Sequence, residues 1–250
     1  MTRYSIIIPT YQHCNDLLKP CVEAIVRYTQ LEDIELIIVA NGCTDETKEY
    51  LQYLYSYFRR TNIGDFKPLF SGKPLGYSKA NNLGIRAATT DKIILLNNDA
   101  FLLEQPKNTW LQMLNAPFER DPNCGISYVL KNFSGPAGQD FAVFFCVMVH
   151  RKVFDKIGLL NEEYGKGGGE DTELCIEAQR AGFTMLQCGE QTWSAATGLN
   201  TGAFPIYHKG EGTVHDKSLV PDWDEVFWKN SLKLSYKYNP AWAKEKLGTK

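Results

Sequence analysis

An alternation of short apolar runs and helix-like stretches constrains this chain more than any other feature. The runs lie at residues 4–9, 34–39, 66–70 and 92–96, with helical patterns at 15–29, from 44 onward and at 77–88. Strands alternating with helices of this length imply a mostly parallel sheet with helices on both faces, a Rossmann-like three-layer α/β sandwich. Local signals agree with the boundaries. Pro9 stops the first run, Asn15-Asp16-Leu17-Leu18 is a cap-like helix entry, and the Asn41-Gly42 turn leads to acidic residues in Thr44-Asp45-Glu46-Thr47 at the start of the second helix.

Past residue 100 the rhythm changes. Residues 110–118 read as a helix and 126–129 and 142–149 as strands around a Gly- and Pro-containing loop at 134–138, so the sheet is expected to become mixed. A short helix at 153–157, a flexible Gly165-Lys166-Gly167-Gly168-Gly169 loop, a helix at 170–182 closed by Gly182 and a last strand at 184–188 follow. A Gly-rich loop at 198–212 and a terminal helix at 223–238 complete the reading. The expected division is one domain at 1–220, with halves at 1–100 and 101–220, and a helical extension at 221–250.

With 250 residues the chain can bury one sizeable core. Lys and Arg number 27 against 29 Asp and Glu, and the net charge of -2 offers no electrostatic footprint for nucleic acid or an anionic membrane. The longest apolar run, 141–149, is too short to span a bilayer, and the run at 5–9 is too short for a secretory signal. Seven cysteines without a CxxC pair argue against a zinc site or a disulfide framework and for a reducing, cytoplasmic setting.

The run at 91–99 ends in Asn97-Asn98-Asp99 and delivers a carboxylate and two amides to a strand tip, where open α/β sheets bind ligands. That donor set suits Mg²⁺ or Mn²⁺, whose usual second partner is a substrate phosphate. A strand-ending turn rich in Asx residues would read the same way. Glu170-Asp171 follows three glycines and opens a helix, a place for a general base and equally for ordinary acidic capping. His208 lies in a Gly-rich stretch after the last strand; neutral imidazole is an acceptable Mn²⁺ ligand, and His215 in the same stretch is the alternative. No GxGxxG follows a strand, which excludes a Rossmann dehydrogenase. No basic Gly-rich loop follows the first strand, which speaks against a sugar nucleotidyltransferase.

Five motifs, Ser5-Ile6-Ile7-Ile8-Pro9-Thr10-Tyr11, Asn41-Gly42-Cys43-Thr44-Asp45, Gly76-Tyr77-Ser78-Lys79-Ala80-Asn81-Asn82-Leu83-Gly84, Leu96-Asn97-Asn98-Asp99 and Gly169-Glu170-Asp171, together resemble the ordered motifs of family-2 glycosyltransferases. The resemblance covers roughly residues 4–215. It implies a GT-A fold, a nucleotide-diphosphate sugar donor, Mn²⁺ or Mg²⁺ as cofactor, and transfer of a hexose or deoxyhexose with inversion to a hydroxyl acceptor such as a glycan, a lipid-linked glycan or a protein-linked sugar. By the same resemblance Asp99 and His208 hold the metal, Asp171 is the base, and Glu170 contacts the acceptor or positions the loop.

Pro9, Thr10 and Tyr11 would wall the base and ribose, and Asn41 would meet the base edge. Lys73 or Lys79 would meet phosphate, with Gly76 and Asn81 in the same cluster and Asn81 on ribose or base. Asn97 and Asn98 flank the donor, and Lys209 supplies a further phosphate contact. The chain departs from the family pattern at Asn97, where an acid is common, and at Ala40 or Asn41, where many relatives carry an acid. A non-catalytic nucleotide-sugar-binding module is the alternative reading, against which Asp171 beside its glycines argues. Trp193, Trp223 and Trp228 suit sugar stacking but also ordinary core packing. Further domains or a homo-oligomer are compatible with the sequence.

Overall fold

The computed structural model describes residues 3–132, 138–189, 191–194, 199–210, 213 and 216–247. The amino-terminal part follows the expected alternation. Strand β1 (Tyr4–Thr10) is followed by α1 (Lys19–Tyr28), β2 (Ile34–Asn41), α2 (Thr47–Thr61), β3 (Asp65–Ser71), α3 (Tyr77–Ala87) and β4 (Lys92–Leu96). Then come β5 (Ala100–Leu102), α4 (Thr109–Arg120), β6 (Cys124–Tyr128), the short β7 (Lys131–Asn132) and β8 (Phe141–Ala142), β9 (Cys146–His150) and α5 (Arg151–Ile157). The chain closes with α6 (Glu170–Arg180), β10 (Thr184–Gln187), β11 (Gln191–Ser194), β12 (Leu199–Gly202), β13 (Ile206–His208), α7 (Trp223–Tyr238) and α8 (Pro240–Leu247).

Seven strands form the central sheet in the order β10-β6-β9-β4-β1-β2-β3. All pairings are parallel except those of β9, which runs antiparallel to both β4 and β6. The sheet is therefore parallel in its first half and mixed in its second. Alternate residues of each strand face opposite layers. Ile6, Ile8, Leu36, Ile38 and Ile94 pack with α1, α2 and α4. Ile7, Ile37, Ile93, Leu95 and Val147 pack with α3, α5 and α6 on the other side. The result is three layers with two apolar seams. No helix among the described residues is long and apolar enough to cross a membrane.

Three departures from the expected elements shape the site. The strand anticipated at 142–149 is broken into β8 and β9 by a turn at Phe144 and Phe145. The carbonyls of that turn are spent inside the site: Phe145 C=O accepts from Asn97 N–H at 2.8 Å and Phe144 C=O from the Tyr77 hydroxyl at 2.7 Å. The loop anticipated at 198–212 contains β12 and β13, and β13 pairs antiparallel with β5. The first helix starts late, because Gln12 and His13 hold φ 55 and 58 and a π-type turn at Cys14–Leu18 precedes α1. Gln12 Oε1 secures this bend by accepting from Thr44 N–H and Asp45 N–H, and Asp45 Oδ2 accepts from Cys14 N–H at 2.8 Å.

Candidate active site

The sheet order reverses at β1, where β2 and β3 lie on one side and β4 on the other, so a crevice opens above the carboxyl ends of β1 and β4. A cavity of ≈ 580 Å³ fills it. Its wall includes Pro9, Thr10 and Tyr11 at the end of β1, Asn41 at the end of β2, Gly76 before α3, and Asn97, Asn98 and Asp99 after β4. Glu170 and Asp171 from the start of α6 and His208 from β13 join them. Two amides fasten the tips together. Asn98 Nδ2 donates to Thr10 Oγ1 at 3.0 Å, and Asn41 Oδ1 accepts from Leu75 N–H at 2.6 Å.

Asp99 and His208 meet through a strand ladder. In the β5–β13 pair His208 stands opposite Ala100, and Lys209 N–H donates to Asp99 C=O at 3.0 Å. This leaves His208 Nε2 3.2 Å from Asp99 Oδ1. The imidazole lies nearly parallel to the Phe145 ring, 4.2 Å between centroids at 9°, which fixes its plane. His208 Nε2 is buried and makes no aligned hydrogen bond among the described residues. A carboxylate and an imidazole held edge to edge are a donor pair suited to Mn²⁺. Among the described residues no third His, Cys, Asp or Glu completes a cluster.

Glu170 and Asp171 behave differently from surface acids. Glu170 is 6% exposed, and its Oε2 has no hydrogen-bond partner among the described residues. Burial pushes its carboxyl upward, and the neighbouring Asp171 charge pushes it further. Burial raises Asp171 as well, but the Thr172 N–H at 2.7 Å and the Thr172 hydroxyl donate to its Oδ1 and restrain the rise. Both carboxyls are thus held above the ordinary carboxylate range, and their two ionisation steps belong to the pair.

The structure does not bring four of the expected residues to the cavity wall. Lys79 is two positions beyond Tyr77 on α3, hence turned some 200° about the helix axis, and it lines a separate hollow with Phe70, Leu83 and Arg86. Asn81 is fully buried and its Nδ2 donates to Tyr77 C=O at 3.1 Å. Lys73 is exposed in the turn after β3. Lys209 is exposed too, because strand alternation points it away from the face that carries His208. Trp223 lines the cavity, whereas Trp228 is 57% exposed on α7 and does not. His215 and the Trp193 side chain lie outside the described residues.

Sequence reasoning missed Tyr77, Phe145 and Lys166 as parts of the cavity wall. The Tyr77 phenol donates to Phe144 C=O and lies 3.2 Å from Asn97 Oδ1, so it joins the β4 tip to the turn before β9. Burial, then the Glu170, Asp171 and Asp99 charges, hold it well above the usual tyrosine range, so it remains a donor. A buried phenol needs such a partner. Nothing local in the sequence identifies which partner it finds.

The model described as glycosyl transferase family 2 matches residues 5–139. Among curated proteins the chain is 26% identical over 218 residues to the uncharacterized protein y4gI of Sinorhizobium fredii (strain NBRC 101917 / NGR234), covering 73% of this chain and 23% of that one. It is 27% identical over 144 residues to glycosyltransferase GlyG of Streptococcus pneumoniae serotype 4, covering 56% of this chain and 45% of that protein. The chain thus spans less than half the length of these relatives. Among solved structures it resembles mannosyltransferase PcManGT of Pyrobaculum calidifontis in complex with GDP-Man and Mn²⁺, with TM-score 0.60, 15% identity and coverage of 74% of this chain and 54% of that one. It also resembles GalNAc-T7 with UDP, GalNAc and Mn²⁺, with TM-score 0.62, 15% identity and coverage of 96% and 50%. The three-layer sandwich is the GT-A fold. The matched residues 5–139 make up more than half of the chain and hold the tips of β1, β2 and β4 that build the crevice, and the chain belongs to glycosyl transferase family 2.

Proposed function

We propose that this chain transfers a sugar, a hexose or deoxyhexose, from a nucleotide-diphosphate donor to a hydroxyl acceptor with inversion at the anomeric carbon. The observation that carries the reading is the convergence of two chemically distinct groups on one cavity: the Asp99–His208 pair, and the carboxyls of buried Glu170 and half-buried Asp171. The first suits a diphosphate, the second a proton transfer. The Mn²⁺ in both solved neighbours, with GDP-Man in one and UDP in the other, supports a metal-dependent nucleotide-sugar reaction here.

The tips of β1 and β2 receive the nucleoside, with Pro9 and Tyr11 against the base and ribose and Asn41 at its edge. Asn97, Asn98 and Asp99 flank the diphosphate. Asp99 and His208 would hold Mn²⁺ or Mg²⁺, leaving the other ligand positions to phosphate oxygens and water. When bound, the cation supplies Lewis-acid neutralisation of charge on the departing diphosphate. Phe145 keeps the imidazole plane in place.

On the other wall ionised Asp171 accepts the proton of the acceptor hydroxyl. The acceptor oxygen bonds to the anomeric carbon as the bond from that carbon to the phosphate oxygen breaks, its electron pair leaving with the diphosphate. Attack from the face opposite the leaving group inverts the configuration. A single proton retained by the Glu170–Asp171 pair keeps a second negative charge from building beside the base, and Thr172 fixes which Asp171 oxygen is turned outward. The reading is tested by incubating the protein with each common nucleotide sugar and Mn²⁺, with and without candidate saccharide acceptors, and measuring nucleotide release. Release from one donor or a small related set is expected. Release from none, with nucleotide binding intact, overturns the reading and leaves a binding module.

A further inference from the structure

We infer that helix α7, acting through Asn230, sets the conformation of the 165–169 loop and thereby places Asp171. Asn230 is a positioning residue for the transfer proposed above, and the inference rests on that reading. The loop's own restraint is slight: Gly167 N–H donates to Tyr164 C=O at 3.1 Å and Gly165 N–H to Glu162 C=O at 3.2 Å. Gly165, Gly167, Gly168 and Gly169 take φ 58, 130, 88 and 134, and glycines have no intrinsic preference that would hold such a course.

The restraint comes from outside, mostly from one helix. Asn230, 7% exposed, donates from Nδ2 to Tyr164 C=O and to Gly167 C=O, both at 2.8 Å. Lys166 pairs with Asp222 just before α7. Phe227 lies against Gly168, so that a Cβ there would stand 2.9 Å from its Cδ2. The same helix is tied to α6, which carries the carboxyls: Lys237 Nζ donates to Glu173 Oε1 at 3.0 Å, and the Tyr238 hydroxyl donates to Glu177 Oε1 at 2.8 Å. Thus α7 grips both sides of the junction at Glu170, while on the donor side Tyr77 N–H donates to Gly165 C=O at 3.1 Å. A primary amide has two hydrogens, and here they go to two carbonyls at the two ends of one turn. All of α7 lies beyond residues 5–139, so the family match does not account for it.

The titratable groups around Asp171 are Glu170 beside it, the Tyr77 phenol from α3 with Asp99 beyond it, Tyr164 and Lys166 from the preceding segment, and the Cys175 thiol on α6. Of these, Tyr164 is bonded to Asn230 directly through its carbonyl, and Glu170 and Asp171 are reached through the loop. The test uses Asn230→Ala, which removes both donors, and Asn230→Ser, which keeps one hydroxyl and guards against a variant that fails to fold. The readouts are kcat, donor KM, thermal melting, and the carboxyl titrations of Glu170 and Asp171 by ¹³C NMR.

For Asn230→Ala the expected loss in kcat is on the order of 10²-fold, with donor KM within about threefold. Both carboxyls should titrate lower than in the parent as the loop admits water, and Asn230→Ser should move in the same direction by less. A loss of kcat that only follows the folded fraction, with titrations unchanged, overturns the inference. If the parent transfers no sugar, the transfer reading fails, and unchanged titrations in the folded variants then refute the positioning claim separately.

Discussion

Replacing Gly169 by alanine strikes the loop one residue before the carboxyl pair. Gly169 has φ 134 and ψ -18, a region that alanine enters at a cost of about 1–3 kcal/mol. Its new Cβ would stand 2.7 Å from Tyr164 Cε1 and 3.0 Å from Cδ1. Tyr164 cannot withdraw, because it is 1% exposed, its hydroxyl donates to Glu173 at 2.5 Å and its carbonyl is held by Asn230. Overpacking against so fixed a ring adds about 1–3 kcal/mol. Together these lower Tm by roughly 10 °C for a chain of this size. Restoring ordinary contact at 3.4 Å moves the backbone at Gly169 by a large fraction of an ångström, enough to lower kcat by roughly 10- to 10²-fold while donor binding at the β1, β2 and β4 tips persists. Melting curves, nucleotide-release kinetics below the melting range and nucleotide titration separate these effects. A variant that melts with the parent and turns over at its rate would refute the claim that the loop's backbone course sets the base.

Burial makes a prediction of opposite sign for stability. A carboxyl raised by folding binds its proton more tightly folded than unfolded, so stability declines as pH climbs from the ordinary carboxylate range through the raised value. Glu170→Gln should therefore melt with the parent at low pH and above it near pH 8, by roughly 2–4 °C for each kcal/mol relieved; equal melting at pH 8 contradicts the assignment. The acid limb of kcat should lie above the ordinary carboxylate range because Asp171 is raised in the same direction, and a limb at the usual aspartate position would remove burial from the account. Phe145→Ala frees the His208 ring and should weaken Mn²⁺ binding to the nucleotide complex by about tenfold in calorimetry. Unchanged affinity would show that the stacked ring does not position a ligand.

The parts of the fold legible in sequence are those whose signal is local. Each strand of the parallel half is a short apolar run, and the polar tip Asn97-Asn98-Asp99 is legible as the abrupt end of one of them, at the crevice where the sheet order reverses. The carboxyl pair on the cavity wall is marked in sequence by the glycines that run into Glu170. What escaped depends on contacts far apart in the chain. β5 and β13 have three residues each and no periodicity, and they exist because they pair across some hundred residues. The break at Phe144 and Phe145 is invisible in an unbroken apolar run, though its carbonyls are what Tyr77 and Asn97 need. Lys79 and Lys209 stand off the cavity wall for a simpler reason. Tyr77 and His208 line the cavity, but helix rotation and strand alternation turn the two lysines away.

The central claim is that Asp171 is the base of a transfer whose donor is held at the opposite wall. Its most direct test is Asp171→Asn, which keeps the side-chain volume but accepts no proton, assayed for turnover with the active donor and for nucleotide affinity in parallel. The account predicts turnover lower by at least about 10²–10⁴-fold, the typical worth of general base catalysis, with nucleotide affinity within a few-fold of the parent. Near-parental turnover in the folded variant would contradict it.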